Sequence, residues 1–146
     1  MRAFRFRLER VLTWRENELS LAEAKAEQLS NSLIATERAL SLALASRTDV
    51  QAKVTRDPTL TGAELRALEM ARVWAVREEK RLTSRVLELQ RSIVEHQRHL
   101  AEARRAVKLV ERLKERQHGK WRAEADHEVE ELAGESAIAQ WRRLHD

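Results

Sequence analysis

The chain has 146 residues with a net charge of +4, no cysteine, three glycines and one proline, and 36% of its residues are charged. Ala, Leu, Glu, Arg and Lys dominate, which is typical of long helices, and the lack of cysteine excludes disulfides and thiolate metal sites. The first residues are rich in arginine, and no apolar run approaches the ~20 residues of a membrane span. We therefore expect a soluble, cytoplasmic protein without a secretory signal or transmembrane helix.

A heptad repeat of apolar residues predicts a first helix over about residues 6–55. With Leu12 as position a, eleven of the fifteen a and d positions from Arg5 to Val54 are apolar. A period of 3.5 residues places one narrow apolar stripe on the helix, and a second helix is needed to cover that stripe. The helix should end before Asp57-Pro58, because proline lacks an N–H and disfavours helix at the preceding residue.

A turn is predicted at residues 56–61, followed by a second helix over about residues 62–118. Thr61-Gly62-Ala63-Glu64 has the pattern of a capping box, in which the two polar side chains accept hydrogen bonds from otherwise unpaired backbone N–H groups. The heptad then resumes, with eleven of the fourteen a and d positions from Leu65 to Val110 apolar. Two long helices joined by a short turn should pack antiparallel, with facing residue numbers adding up to about 115–122.

These elements predict an all-α fold: a single antiparallel coiled-coil hairpin over residues 1–146, with the second helix longer than the first. Beyond His118 the first helix has no residues left to face the second, so residues 119–146 are expected to form a C-terminal overhang. Gly119 and Gly134 should weaken helix there by up to ~1 kcal/mol each. The overhang carries four basic and seven acidic residues, which gives it a net charge of −3 and residues 1–118 a net charge of +7. This asymmetry predicts docking guided by charge.

Charged residues interrupt the predicted seam near the turn, at Arg47, Arg72 and Glu79, and at its other end, at Arg15. We interpret them as side chains that extend from a thin seam into water. The alternative is that they set the register of the helices or loosen the coil for a partner.

The sequence contains no set of residues that indicates catalysis, and we expect neither an enzyme nor a cofactor. A two-helix coil lacks a pocket that excludes water, and there is no glycine-rich phosphate loop. His96 and His99, with Glu95 and Glu102 nearby, come nearest to a metal site. Four well-placed ligands are missing, however, and His96 is at a d position, so we interpret it as a seam residue and expect no metal.

Apolar side chains outside the seam are the candidate partner-binding residues. The first group lies on the outward face of the second helix, with Arg77 one turn further along: Met70, Val73 and Trp74. An exposed tryptophan usually marks a contact, although Trp74 lying flat along its own helix is the alternative. A second group lies at the N-terminus: Phe4, Phe6 and Trp14. A third lies in the overhang, where the first helix is not expected to cover it: Trp121, Leu132, Ile138, Trp141 and Leu144.

The two ends of the chain carry a family resemblance. The stretch Phe4-Arg5-Phe6-Arg7-Leu8-Glu9-Arg10-Val11-Leu12, followed by Arg15-Glu16, resembles the N-terminal signature of the FliJ family, small coiled-coil components of the bacterial flagellar type III export apparatus. The C-terminal part resembles the closing pattern of the same family. The matching residues are Glu111-Arg112-Leu113-Lys114-Glu115, then Trp121, then Glu128-Val129-Glu130-Glu131-Leu132-Ala133. Length and two-helix layout also match, so the resemblance covers the chain. Ala133-Gly134 departs from the pattern, since the family usually continues a helix there.

The resemblance implies a stalk-like protein that associates with the hexameric export ATPase, contacts the membrane export-gate protein and couples hydrolysis to substrate entry. Some members of the family also bind export chaperones. It implies a peripheral position at the inner-membrane export apparatus, without insertion into the membrane. Two alternatives remain: the equivalent stalk protein of a virulence type III secretion system, and a basic coiled-coil scaffold or nucleic-acid-binding protein. We do not expect nucleic acid, because the arginines are spread around both helices and interleaved with glutamates.

Overall fold

The protein is all-α, as its heptad pattern predicts. A computed structural model describes the backbone of residues 3–145 and the side chains of residues 3–144. These residues contain two helices and no strand: α1, Glu9–Arg56, and α2, Gly62–His145. Residues 57–61 form the connection of a two-helix hairpin.

The described chain divides into two compact units. We call residues 21–101 the turn unit, and residues 3–20 together with 102–145 the terminal unit. Each unit contains a piece of α1 packed against an antiparallel piece of α2. In the turn unit this is shown by a hydrogen bond of 2.7 Å between His96 of α2 and the carbonyl oxygen of Ala22 of α1.

The apolar residues that the structure buries are mostly at seam positions predicted from the heptad, although three predicted seam residues, Leu8, Val54 and Leu65, are exposed. Eleven apolar residues are buried, and nine of them are at a or d positions, the exceptions being Phe6 and Ala125. In the turn unit all the buried residues are at d positions: Ala22, Ala43, Val50, Ala75, Leu82 and Leu89. Because three of these six residues are alanines, the buried part of the seam holds little apolar volume.

Polar residues at seam positions pair at the edge of the seam. Arg47 donates a hydrogen bond of 2.8 Å to Glu79 on the facing helix, and Arg72 pairs with Glu69 on its own helix. Arg47 is about half exposed, and ion pairs of this kind contribute at most about 1 kcal/mol. In the seam, His96 must donate from Nε2, because the carbonyl oxygen of Ala22 can only accept.

The capping box predicted at the start of α2 is present. The backbone N–H of Thr61 donates to the Glu64 carboxylate at 2.8 Å, and the backbone N–H of Glu64 donates to the Thr61 hydroxyl at 3.3 Å. The connection has a second polar motif that the sequence reading did not identify. Asp57 accepts hydrogen bonds from the backbone N–H of Thr59 at 2.9 Å and from its hydroxyl at 2.6 Å. These two motifs fix the turn with local hydrogen bonds.

Two helix bounds differ from those expected from the sequence: the start of α1 and the end of α2. α1 begins at Glu9 rather than near Phe6, because Phe6 is a buried residue in a non-helical segment. α2 runs without interruption through Gly119 and Gly134 to His145. The expectation that packing ends at His118 is wrong, since the Phe4 ring lies 5.9 Å from the Trp121 ring. Only the residues after Ala125 are exposed throughout, as far as Leu144.

The seam predicts that two leucines close together on α2 contribute very differently to the free energy of unfolding. Leu89 is 3% exposed and Leu87 is 51% exposed. Leu89→Ala should lower the free energy of unfolding by ~2–4 kcal/mol, because it leaves a cavity in the seam. Leu87→Ala, the matched control, should change it by less than about 0.5 kcal/mol. Urea unfolding followed by circular dichroism measures both, and equal losses would show that the register of the seam is wrong.

The Asp57 motif predicts a pH dependence at the turn. Hydrogen bonds from the Thr59 hydroxyl and backbone N–H hold the pKa of Asp57 below its ordinary value of 3.8. A carboxyl group with a lowered pKa in the folded state adds stability above its unfolded pKa, and that stability is lost as pH falls through the folded pKa. Thr59→Ala should raise the Asp57 pKa, measured by NMR titration. Thr55→Ala, whose hydroxyl bonds only the Gln51 carbonyl oxygen, should leave it unchanged.

Candidate functional site

The outward group predicted on α2 is exposed in the turn unit. Met70 is 75% exposed, Trp74 59% and Val73 37%. Ala75, which is fully buried in the seam, fixes the rotation of α2 so that Val73 and Trp74 point away from α1. Because these three side chains are spaced at i, i+3 and i+4, they share one face of the helix. We call them, with Arg77, the Trp74 patch.

Ion pairs border the Trp74 patch on both sides along α2. Arg72 and Glu69 pair at 2.6 Å, and Arg81 and Glu78 at 2.8 Å. The hydrogen bonds from the two guanidinium groups lower the pKa of Glu69 and of Glu78, so both carboxylates are ionised at neutral pH. Arg77 is exposed and has no ion pair within the described residues. The patch therefore offers an apolar surface with one available cation, which suits an apolar groove that has an acidic rim.

Two of the N-terminal candidates pack within the terminal unit, one buried and one partly buried. Phe6 is 8% exposed and forms a buried cluster with Leu12 and Val107, and Phe4 packs against that cluster. Phe6 lies outside the heptad seam, as expected, but its side chain is buried within the unit. The segment before α1 is not helical, so the heptad does not govern its side chains, and it lies along α2 instead.

Trp121 is covered in part, contrary to the expectation for the overhang. The Phe4 ring meets the His118 ring edge-on at 5.0 Å and lies 5.9 Å from Trp121. His118 and Trp121 are themselves 5.6 Å apart, so the three rings form one aromatic cluster. Sequence reasoning did not identify His118 or Lys114, whose ammonium group lies 2.9 Å from Glu9 and 5.9 Å from the Phe6 ring. The opposite charges of Glu9 and Lys114, at positions that face each other across the helix pair, could have indicated the contact of Lys114 from the sequence.

Trp14 is the exposed aromatic residue of the N-terminal group, at 53% exposure. The guanidinium of Arg15 lies 4.5 Å from the centre of its ring, and the same group pairs with Glu18 at 3.1 Å. A cation–π contact of this kind holds the ring of Trp14 in a defined orientation at the surface. Trp14 therefore presents an oriented apolar surface to solvent.

Towards the end of α2 the apolar residues are exposed, as predicted for the overhang. Their exposure is between 56% and 81%: Leu132, Ile138, Trp141 and Leu144. Six acidic residues lie between Glu124 and Glu135 inclusive, around Leu132, and the other three apolar residues follow this acidic stretch.

The histidine pair considered as a metal site belongs to the seam and its edge. His96 bonds the Ala22 carbonyl oxygen, and the His99 ring lies 5.7 Å from the His96 ring. No group of three metal-ligating side chains occurs among the described side chains, residues 3–144. Over the same residues, neither helix has a stretch that is both apolar enough and long enough to cross a bilayer.

Comparisons of the chain with family models, with curated proteins and with solved structures returned no match.

The packing of Phe6 predicts that the non-helical segment protects α2. Phe6→Ala should speed amide hydrogen exchange at residues 105–121, because the buried cluster with Leu12 and Val107 loses its largest side chain. Arg7→Ala, an exposed neighbour, is the matched control and should leave exchange there unchanged. Equal exchange in both variants and in the wild type would show that the segment does not cover α2 in solution.

Proposed function

We propose that the protein is a stalk-like coupling factor of the bacterial flagellar type III export apparatus. In this role it associates with the hexameric export ATPase, contacts the membrane export-gate protein and has no catalytic activity of its own. The proposal begins from the FliJ-like pattern of residues 4–16 and 111–133. The two-helix hairpin fits that pattern, because a thin helical rod can enter a ring and leave its outer surface free for partners.

The observation that carries the proposal is the exposure of the Trp74 patch. Met70 and Trp74 are large apolar side chains that are more than half exposed. Other residues of α2 already pack against α1, so these two are not needed for the seam. Exposed tryptophans are enriched among the residues that dominate binding energy at protein interfaces. Arg77 adds a charge that selects partners with an acidic rim. We assign this patch to the export gate.

We assign the contact with the ATPase to the terminal unit. Trp14 is the exposed aromatic residue there, and its ring is oriented by Arg15. Three other aromatic residues act less directly in this proposal: Phe4, Phe6 and Trp121. They pack within the unit and fix the shape of the surface that contacts the ATPase hexamer. Export chaperones are further partners by resemblance. The protein would then work in the cytoplasm, at the inner-membrane export apparatus.

The two assignments predict opposite effects for two tryptophan variants. Trp74→Ala should weaken binding to the purified cytoplasmic domain of the export gate by ~2 kcal/mol or more, because a hot-spot ring is lost. It should leave folding nearly unchanged, since Trp74 is outside the seam. Isothermal titration measures the affinity, and a swimming assay measures the effect in cells.

Trp14→Ala is the matched control, since it removes the same side chain at similar exposure, 53% against 59%. It should leave gate affinity unchanged and weaken binding to the ATPase. Equal gate affinity for the Trp74→Ala variant and the wild type, with both folded and both strains motile, would overturn the assignment of the patch. Absence of binding to both the ATPase and the gate by the wild-type protein would overturn the proposed function itself.

A further inference from the structure

One face of α2 in the terminal unit is exposed along its whole length. It runs from Arg105 to Trp141 in steps of three and four residues, on the side opposite Val107, which is buried in the seam. Steps of three and four keep positions on one side of an α-helix. We call this the outer face of α2. At ~1.5 Å per residue it is roughly 55 Å long.

The first part of the outer face is basic. Arg105, Arg112 and Arg116 are exposed, and none of them has an ion pair or hydrogen bond within the described residues. Leu109 lies among them and is 70% exposed. This part therefore combines unneutralised positive charge with an uncovered apolar side chain.

Small residues occupy the middle of the outer face. Gly119 and Ala123 are exposed, and a Cβ atom placed on Gly119 would meet nothing within 4 Å. A glycine in a helix interior costs up to ~1 kcal/mol relative to alanine. Small side chains at these positions allow another helix to come close to the backbone of α2.

The last part of the outer face is acidic and apolar. Glu130 is exposed, and the face continues through Gly134 and Ala137 to Trp141, which is 61% exposed. The charges of the whole segment follow the same division. Residues 104–122 carry eight basic and two acidic side chains, whereas residues 124–135 carry six acidic side chains and no basic one.

These two oppositely charged blocks, +6 and −6, adjoin each other on one continuous helix. A helix cannot fold back on itself, so the blocks of one chain meet only at their border. A second copy in the antiparallel direction places each basic block over an acidic block, and symmetry makes both contacts at once. The charge pattern is thus complementary to itself.

We propose that the outer face of α2 binds the same face of a second copy of this chain, antiparallel, with Ala123 beside the two-fold axis. In this register Arg116 faces Glu130 of the other copy, and Leu109 faces Ala137. Arg105 comes beside Trp141, the geometry of a cation–π contact. Each contact occurs twice because the interface is isologous. α1 is not displaced, since the seam is on the opposite side of α2.

The occupant is a second copy because one axis at Ala123 brings Arg116 opposite Glu130 and lays most of the basic block over the acidic block of the other copy. In the same register Gly119 comes beside His127 of the other copy, so a small residue leaves room for a larger one. A different partner would need a helix of its own with one acidic and one basic stretch, spaced to match the two blocks of α2. The inference goes beyond the proposed function, since it concerns the protein without the export ATPase or the gate. It also uses none of the residues of the Trp74 patch.

Charge reversal with restoration tests the pairing. Sedimentation equilibrium of the full-length protein should show a dimer that weakens as the NaCl concentration rises. Arg116→Glu and Glu130→Arg should each raise the dimer dissociation constant by about tenfold or more, because like charges then face each other. The double variant restores opposite charges and should return the constant towards the wild-type value. Arg91→Glu, an exposed arginine of α2 outside the outer face as defined, changes the net charge equally and should have little effect.

Cross-linking tests the register, and the chain has no cysteine to interfere. Ala123→Cys should form a disulfide-linked dimer readily under mild oxidation, because the two copies of residue 123 adjoin the axis. Leu109→Cys should not, because residue 109 faces residue 137 in the antiparallel register. Gln117→Cys, exposed on another side of α2, is the control for random collision. Circular dichroism checks that every variant is folded.

Three results would overturn the proposal. The first is a wild-type protein that remains monomeric at low salt and high concentration. The second is a double charge variant that dimerises no better than either single variant. The third is efficient self-linking of the Leu109→Cys variant, which would indicate a parallel pair. A salt-weakened dimer, restoration in the double variant and selective linking at residue 123 would together support it.

Discussion

The narrow apolar seam between α1 and α2 is the interaction on which the other features of this chain depend. In the turn unit the buried residues of the seam are all at d positions and half of them are alanine, while the a-position residues between them are only partly buried or are exposed. A chain with so little interior must satisfy its polar groups locally, and the capping box and the Asp57 motif do this at the turn. The same constraint leaves every apolar residue outside the seam exposed unless another segment reaches it.

In the terminal unit a segment of this kind is present. The residues before α1 are not helical, and they place Phe4 and Phe6 on α2 beyond the point where the helix pair would otherwise end. The aromatic cluster of Phe4, His118 and Trp121 extends packing past His118. This arrangement buries Phe6, covers Phe4 in part and leaves Trp14 as the exposed aromatic residue of α1.

The two proposals concern separate surfaces and different kinds of recognition. The Trp74 patch is small and mostly apolar, with nearby carboxylates already paired to arginines, so it suits a groove on another protein. The outer face of α2 is long and divided by charge, and its complement is its own reversed copy. Because the two surfaces share no residue, failure of one proposal would leave the other intact.

The sequence by itself determined the all-α fold, the capped turn, the seam and the exposure of the Trp74 patch. A heptad specifies which side of each helix is buried, so the outward direction of Trp74 follows from its spacing to Ala75. Only the tertiary structure decided the positions of Phe4, Phe6 and Trp121. Those residues meet through a segment without regular structure, where no repeat relates sequence spacing to direction, and their contacts depend on where α2 lies once the seam has formed.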